Sequence, residues 1–311
     1  CNISRAVLLL FMVIMRNLTK KILILPVVCL VCACVLCAET ITLGGKQGWS
    51  RLAKQDGVTE GKGRYGWKCM QLATNSRLRD TETDILLGFE SVPFYDAAGN
   101  YTVRSNSLGK TTHAVMGNGA GISRNTGNGL VLSGNPGTLF GTEGPVGSFF
   151  IEFWLCPSVA ENGEVIFNWR SSRNAAGSIL YQTISAVFSG NRLEWTFFNV
   201  FDGYSRNEGE VHAKGTQPLI PGKWSHHVVS FDEEDGSLEY RIDGQLESVQ
   251  FITASGHELS TVYPINLGVP ADIEICPEYT GSIDDFRICR GSYKNGDAES
   301  AADLHYSVYK T

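Results

Sequence analysis

Residues 223–251 carry the clearest alternation of apolar and polar positions in the chain. Within them, residues 238–243 (LEYRID) place every second side chain on an apolar face, and a period of two is typical of a half-buried strand. Residues 233–236 (EEDG) and the pair Asp243-Gly244 suit the turns between neighbouring strands. The stretch therefore predicts three β-strands in a meander.

Similar apolar runs recur roughly every ten residues, which is the spacing expected of an all-β sandwich or barrel. Residues 101–132 are polar and rich in glycine; residues 117–121 within them predict a flexible loop. A helix is predicted only at residues 298–306. Further strands are predicted at residues 40–43, 65–74, 83–89, 129–132, 149–155, 165–169, 178–188, 192–199, 209–214, 265–269, 272–276 and 282–289.

The charge pattern argues against a nucleic-acid partner. The 311 residues have a formal net charge of -6, and the Lys and Arg residues are scattered rather than gathered in a basic stripe. Residues 61–66 match GxGxxG, but a strand is predicted after them, whereas phosphate binding needs a helix N-terminus facing the anion. Neither nucleic acid nor a nucleotide is therefore expected.

The first 38 residues read as a targeting segment. Met15 is the better start, since it opens a basic stretch that precedes an apolar run at residues 22–36. A cut before Glu39 suits a plain signal peptidase, whereas residues 31–34 resemble a bacterial lipobox that would put a lipid on Cys34. An uncleaved anchor is a third alternative, at the short limit for a membrane span. We expect export to the periplasm or cell surface, with membrane contact only through such a lipid anchor.

Four cysteines follow the targeting segment, namely Cys69, Cys156, Cys276 and Cys289. An even number in an exported chain permits disulfides, and four allow three pairings. Cys276 with Cys289 is the most local pair and the one we predict. The alternative is that some of these residues are buried thiols, which pack as small apolar groups.

Three segments together resemble the LamG-like, concanavalin A-like jelly-roll superfamily. They are FFIEFWLCP at residues 149–157, WSHHVVSFD with LEYRIDG within residues 224–244, and GSIDDFRICR at residues 281–290. The resemblance begins near residue 81 and implies a two-sheet antiparallel jelly-roll sandwich with a short C-terminal helix. We accordingly expect a targeting segment at 1–38, a β-rich extension packed on the sandwich at 39–80, and the LamG-like domain at 81–311.

An enzyme of this superfamily would need carboxylates alternating along one strand, because a retaining glycosidase places its two carboxyl groups about 5 Å apart. The nearest run is Asp272-Ile273-Glu274, which lacks the third carboxylate of the E-x-D-x-(x)-E pattern. No GxSxG motif occurs, and His226 and His227 point to opposite faces of a strand, so they cannot share a metal. We therefore expect no enzymatic activity.

Calcium is the one cofactor that the resemblance suggests. LamG relatives often hold a calcium ion with carboxylate and carbonyl oxygens from loops, and Asp202, Asp232 and Asp235 are the candidate ligands here. Ordinary acidic surface turns are the alternative explanation, since no fixed spacing selects these residues.

Aromatic side chains are the candidates for sugar binding, because they stack on the apolar face of a pyranose. The alternative for most of them is a place in the core, which alternating aromatics normally fill in a two-sheet fold. The candidates are Trp169, Tyr181, Trp195, Phe197 and Tyr204.

These observations favour an exported, non-enzymatic cell-envelope protein whose sandwich binds a glycan or an envelope protein. A structural coat subunit is the second interpretation, by analogy with spirochaetal flagellar sheath proteins of similar fold. A glycoside hydrolase-like protein is the third.

Overall fold

The computed structural model describes residues 58–62, 68–72, 83–175 and 177–293. The targeting segment with Cys34, most of the 39–80 extension and the predicted C-terminal helix lie outside these residues. In the described part, no helix is both long and apolar enough to span a bilayer.

The first seven strands include four that the sequence did not predict, namely β1, β4, β5 and β6. β4, β5 and β6 lie in the polar, Gly-rich stretch that we expected to be irregular, because long-range pairing overrides a weak local preference for strand. These strands are β1 (Val58–Lys62), β2 (Lys68–Leu72), β3 (Thr83–Leu87), β4 (Tyr101–Asn106), β5 (Gly109–Thr111), β6 (Ala120–Arg124) and β7 (Leu130–Gly134).

The remaining strands follow the predicted rhythm, with a short β8 added and a 3₁₀ turn at Arg206–Gly209. They are β8 (Gly144–Pro145), β9 (Phe149–Pro157), β10 (Val165–Ala175), β11 (Ser178–Ser189), β12 (Arg192–Phe198), β13 (Glu210–Lys214), β14 (Ser225–Phe231), β15 (Ser237–Ile242), β16 (Gln245–Phe251), β17 (Asn266–Leu267), β18 (Ile273–Glu278) and β19 (Thr280–Arg290).

Two antiparallel sheets form the sandwich. The seven-stranded sheet has the order β13-β12-β11-β10-β18-β7-β4, and the eight-stranded sheet has the order β16-β15-β14-β9-β19-β6-β5 with β3 paired to β19. The predicted meander is confirmed as β14, β15 and β16, and Asp243 and Gly244 adopt the positive φ angles, 49° and 79°, that a tight hairpin requires. β1 and β2 form a separate hairpin, so the GxGxxG segment begins within a strand.

The core lies between the two sheets and is built largely from aromatic side chains. Phe153 of β9 packs against Trp195 of β12 with the rings tilted at a centroid distance of 6.3 Å, and Phe167 of β10 stacks with Phe286 of β19 at 6.2 Å. Each pair joins one sheet to the other. The inner faces of a jelly-roll sandwich are thus closed against each other, which leaves the outer faces and the loops for function.

Candidate functional site

The outer face of the seven-stranded sheet is polar and accessible. Along β11 and β12, every second residue is buried in the core, and the residues between them are partly exposed. This is the alternation of a strand with one packed face and one wet face. The wet face is therefore available to a ligand.

Five polar side chains line up across this face, one from each of five neighbouring strands. In the strand register Glu274 is opposite Asn168, Asn168 opposite Ser185, Ser185 opposite Thr196, and Thr196 opposite His212. We call these five residues the polar row. It crosses four strand spacings, about 19 Å, and it offers carboxylate, amide, hydroxyl and imidazole groups in sequence.

One end of the polar row is held by a strong hydrogen bond. The amide nitrogen Nδ2 of Asn168 donates to Oε2 of Glu274 at 2.5 Å. Asn168 is itself buried although it belongs to the outer face. This end of the row is therefore fixed in position before any ligand arrives.

The other end of the polar row carries a charged cluster. Nδ1 of His212 lies 3.0 Å from Oε1 of Glu194, and Nζ of Lys214 lies 3.0 Å from the other carboxylate oxygen. Partial burial acts to raise the pKa of Glu194, but hydrogen bonds from Lys214 and Ser189 and the nearby positive charge hold it below the usual value. Glu194 is thus an anion that positions His212 at the sheet edge.

Accessible aromatic groups lie next to the polar row. In the adjacent row Arg170 is opposite Thr183, and Thr183 is opposite Phe198, whose ring is half-buried on the outer face. Tyr181 is one further row along β11, and 70% of it is exposed. Of the aromatic residues predicted to stack on sugars, Tyr181 is therefore free to do so from this face.

Loops at the Tyr181 end of the sheet are tied together by one buried side chain. Nε2 of Gln182 donates to the carbonyl oxygens of Asn199 and Asn266, both at 2.8 Å, and its Oε1 accepts the N–H of Gly268 at 2.7 Å. Both N–H groups of the amide and one lone pair of its oxygen are therefore used in a buried place. Gln182 thereby fixes the rim of the polar face.

Trp169 and Trp195 were predicted as ligand-binding residues, and the structure corrects this. Both are fully buried between the sheets, as is Phe197, and neither indole N–H has a hydrogen-bond partner among the described residues. A buried ring has no face left for a sugar, so the alternative of a place in the core holds for them. Tyr204 is intermediate, because it is half-buried and packs edge-on against Phe201 and Tyr263.

The candidate calcium ligands do not converge in the structure. Asp202 forms an ion pair with Arg173 at 2.8 Å, Asp232 accepts the N–H of Glu234, and Asp235 accepts the N–H of Ser237. Within the described ranges, no group of three His, Cys, Asp or Glu side chains is placed to hold a metal. These three carboxylates act instead in an ion pair and in turns.

The predicted disulfide between Cys276 and Cys289 is wrong. Cys276 is a free thiol in the core on β18, whereas Cys289 lies on β19 of the other sheet, in a cluster on the outer face with Phe150 and Val228. The two residues are close in sequence, but the chain crosses from one sheet to the other between them. Burial raises the pKa of the Cys276 thiol, which makes it an unreactive core residue.

His226 and His227 point to opposite faces of β14, as expected. His226 lies against Trp154 on the outer face of the eight-stranded sheet, and His227 stacks with Phe153 in the core. Burial and the nearby His226 lower the pKa of His227 to about 3. His227 is therefore neutral across the physiological range.

Glu274 does not have the partner that a glycosidase needs. On the outer face, its neighbouring strands β7, β10 and β11 contain no carboxylate among their described residues. Glu194 is three strands away, about 14 Å by strand spacing, whereas catalytic carboxyl pairs lie roughly 5–9.5 Å apart. Asp272 is exposed and precedes β18, outside the strand.

Most of the polar row was missed by sequence reasoning. Asn168 and Thr196 each stand next to a buried tryptophan, and His212 stands between Val211 and Ala213. The signal that was present is this alternation of polar residues with core residues. It marks a wet face, but it does not tell which strands lie side by side.

The fold and the site together define a two-sheet jelly-roll domain with one open polar face. A sequence-family model for the concanavalin A-like lectin/glucanases superfamily, Laminin_G_3, matches residues 125–294, more than half of the chain. The chain belongs to this superfamily. The resemblance drawn from its sequence motifs is thereby confirmed. No curated protein sequence matches the chain at a significant level.

Solved structures with the same fold include several toxin binding domains. The binding domain of Paraclostridial Mosquitocidal Protein 1 aligns with a TM-score of 0.52 at 13% identity, over 73% of this chain and 53% of its own. The botulinum neurotoxin serotype D binding domain gives 0.51 at 14% identity, over 71% and 50%.

A third solved structure is the serotype D ligand binding domain in complex with N-acetylneuraminic acid, with a TM-score of 0.50 at 14% identity, over 74% of this chain and 52% of its own. The chain therefore aligns with about half the length of these proteins, and at such identities the likeness is one of fold.

Proposed function

We propose that this chain is an exported, non-enzymatic protein of a bacterial cell envelope that binds a glycan on the outer face of its seven-stranded sheet. The polar row carries the proposal, because it sets hydrogen-bonding groups of several kinds along a partly exposed track about 19 Å long. Sugar hydroxyls both donate and accept, so a mixed row suits them better than a row of one charge would. Phe198 and Tyr181 supply rings beside the track for stacking.

The identity of the ligand class has further support. One solved neighbour of this fold is a ligand binding domain in complex with N-acetylneuraminic acid. Sugars are therefore the first class of ligand to test, and an envelope protein is the second.

Binding should be measured on a glycan array with the purified chain, once with calcium and once with a chelator. We expect saturable binding to a defined glycan. Thr196→Trp should abolish it by filling the middle of the polar row, whereas the matched control Gln250→Trp on the exposed edge strand β16 should bind like wild type. Binding that survives Thr196→Trp, or no binding under either condition, overturns the proposal. Binding that is present with calcium and lost with the chelator would place a metal in the site.

The absence of enzymatic activity is part of the proposal and has its own test. The separation of Glu274 from Glu194 supports it, because the two carboxylates are too far apart for either glycosidase mechanism. Hydrolysis of a bound glycan that disappears in Glu274→Gln would overturn it and favour the hydrolase-like interpretation.

Export and retention are proposed from the sequence pattern of residues 15–38. Fractionation of cells that express the full chain should recover it outside the cytoplasm. If Cys34 carries a lipid, Cys34→Ser will move the protein from the membrane fraction to the soluble fraction. An unchanged distribution would favour plain cleavage or an uncleaved anchor.

A structural coat subunit is the second candidate function. The observation that favours it is the exposed edge strand β16, on which Leu246 and Val249 are solvent-accessible. An edge strand with accessible backbone groups can pair with another chain. Co-sedimentation with an envelope structure, lost on Val249→Pro, would support this function over glycan binding.

A further inference from the structure

A cavity lies away from the polar row, at the edge of the eight-stranded sheet. It has a volume of about 230 Å³ and sits between the segment before β14 and the hairpin of β15 and β16. Leu219 and Ile242 supply apolar wall, and Ser225, Asp243 and Glu247 supply polar groups. Its volume is close to that of one small ring-shaped molecule with its substituents.

The back of this cavity is a chain of three hydrogen-bonded side chains. Oγ of Ser225, which lines the cavity, lies 2.8 Å from Nε2 of His227, and Nδ1 of His227 lies 2.7 Å from the hydroxyl of Tyr240. His227 and Tyr240 are completely buried. Because His227 is neutral, one of its ring nitrogens carries a proton and the other nitrogen accepts a hydrogen bond.

The buried tyrosine decides which nitrogen carries the proton. If Nδ1 were the donor, the O–H of Tyr240 would be left in the core without an acceptor among the described residues, and an unsatisfied buried donor destabilises the fold. If Tyr240 donates to Nδ1, then Nε2 carries the proton and donates to Ser225. Both buried groups are then satisfied. The O–H of Ser225 is the one donor left over, and it belongs to the residue that lines the cavity.

The remaining walls of the cavity are held rigidly. Oε2 of Glu247 accepts the N–H groups of Thr216 and Gln217 at 2.7 and 3.0 Å, and Oδ1 of Asp243 accepts the N–H of His226 at 2.8 Å. The second oxygen of each carboxylate has no protein donor among the described residues. The cavity is therefore lined by Ser225, which keeps a donor, and by two carboxylates that each keep an acceptor oxygen.

The chemistry of this space selects a neutral ligand with several hydroxyl groups. An anion would be repelled by Asp243 and Glu247, and Lys223 on the same wall offsets part of the attraction that these two carboxylates exert on a cation. Hydroxyls can donate to the carboxylates and accept from Ser225, while Leu219 and Ile242 contact the carbon skeleton.

We propose that this cavity binds one neutral polyhydroxylated ring, such as a monosaccharide or a terminal sugar unit, with Ser225 donating the orienting hydrogen bond. The site is separate from the polar row and does not depend on glycan binding there.

The test uses the full chain, labelled with ¹⁵N, and titration with glucose, galactose, mannose and N-acetylglucosamine. At least one of these sugars should cause saturable chemical-shift changes at Ser225 and Glu247. Ser225→Ala should weaken the response about tenfold, the expected effect of one lost hydrogen bond. Ile220→Trp should abolish it, because Ile220 is 56% exposed on the cavity wall and a larger ring fills the space.

A matched control is Leu259→Trp, which adds the same ring at a fully exposed position and should leave the titration unchanged. Imidazole ¹⁵N shifts, assigned by their absence in His227→Gln, should show Nε2 protonated. The proposal is overturned by a lack of saturable shifts with all four sugars, by shifts that persist in Ile220→Trp, or by protonation at Nδ1. If sugars shift the Ser225 signal but the glycan array shows no binding, the cavity proposal stands and only glycan binding at the polar row is removed.

Discussion

The outer faces of the two sheets are built in opposite ways. On the seven-stranded sheet the outer face is polar and partly exposed, whereas β9 and β14 of the eight-stranded sheet are buried on both faces. Trp154, Trp224 and Phe150 lie on the outer face of the eight-stranded sheet and are closed off from solvent. One face is thus accessible from solvent, and the other forms a second core.

Part of the cover over the buried face is the segment 113–118. Oδ2 of Asp284 accepts the N–H groups of Val115 and Met116 at 2.8 and 2.9 Å, and the ring of His113 lies 5.6 Å from that of Trp224. Tyr293 contributes a ring against Phe150 at 5.4 Å. The comparison teaches that hydrophobic strands alone do not show which face of a sandwich binds a ligand, because a face can be apolar and already covered.

The largest effect should come from the ion pair beneath this cover. Glu152 pairs with Arg287 and approaches His226 at 3.4 Å, with all three side chains buried. Glu152→Ala should lower the free energy of unfolding by about 3–5 kcal/mol, because it leaves a buried guanidinium without its carboxylate. Urea unfolding measures this.

The matched control is Glu194→Ala, which removes a carboxylate from an ion pair on the exposed face. That change should cost at most about 1 kcal/mol, since solvent screens the pair. Equal losses for the two variants would contradict the contrast between the faces.

A middle-sized effect is expected at the rim of the polar face. Gln182→Ala removes three hydrogen bonds from buried backbone groups and should cost about 1–3 kcal/mol. Because it releases the loops around Asn199 and Gly268, hydrogen exchange there should accelerate while exchange in β9 and β14 stays slow. Acceleration across the whole molecule would show instead that Gln182 supports the core.

His227 in the core between the two sheets predicts how the free energy of unfolding depends on pH. His227 has an unfolded-state pKa of 6.5 and a folded-state pKa of about 3. Below pH 6.5 the unfolded chain binds a proton at His227 that the folded chain does not bind, and this favours the unfolded state. The stabilising contribution of neutral His227 is therefore complete above pH 6.5. It is lost as pH falls toward 3, at up to about 1.4 kcal/mol per pH unit.

Urea unfolding at several pH values should therefore show a flatter slope for His227→Gln than for wild type in this window. Ile242→Val, a core change without a titratable group, should keep the wild-type slope. An unchanged slope in His227→Gln would mean that His227 takes up a proton in the folded state.

The smallest effect on stability, paired with a large effect on binding, is expected in the polar row. Thr196→Ala should change the free energy of unfolding by no more than about 0.5 kcal/mol, because the side chain faces solvent. It should still weaken glycan binding several-fold on the array. A large loss of stability would mean that the row is structural and would remove the reason for placing the ligand there.

Tyr181 shows how far the sequence alone could go toward the site. Its exposure on the polar face agrees with its selection as a stacking residue, but Trp169 and Trp195 were selected by the same argument and are in the core. Nothing local separates the three, since each aromatic residue lies on a predicted strand next to at least one polar residue. Which face of a strand points into the core depends on where the second sheet packs.

The sequence by itself determined most of the strands, the meander with its Asp243-Gly244 turn, and the family, because periodicity, turn residues and motif order are local properties. The tertiary structure alone decided that Glu274 lies beside Asn168, 106 positions earlier, and that Cys276 and Cys289 lie in different sheets. The physical reason is that a period of two tells which side chains share a face. Only long-range pairing between strands sets the register, the neighbours and the face that meets the core.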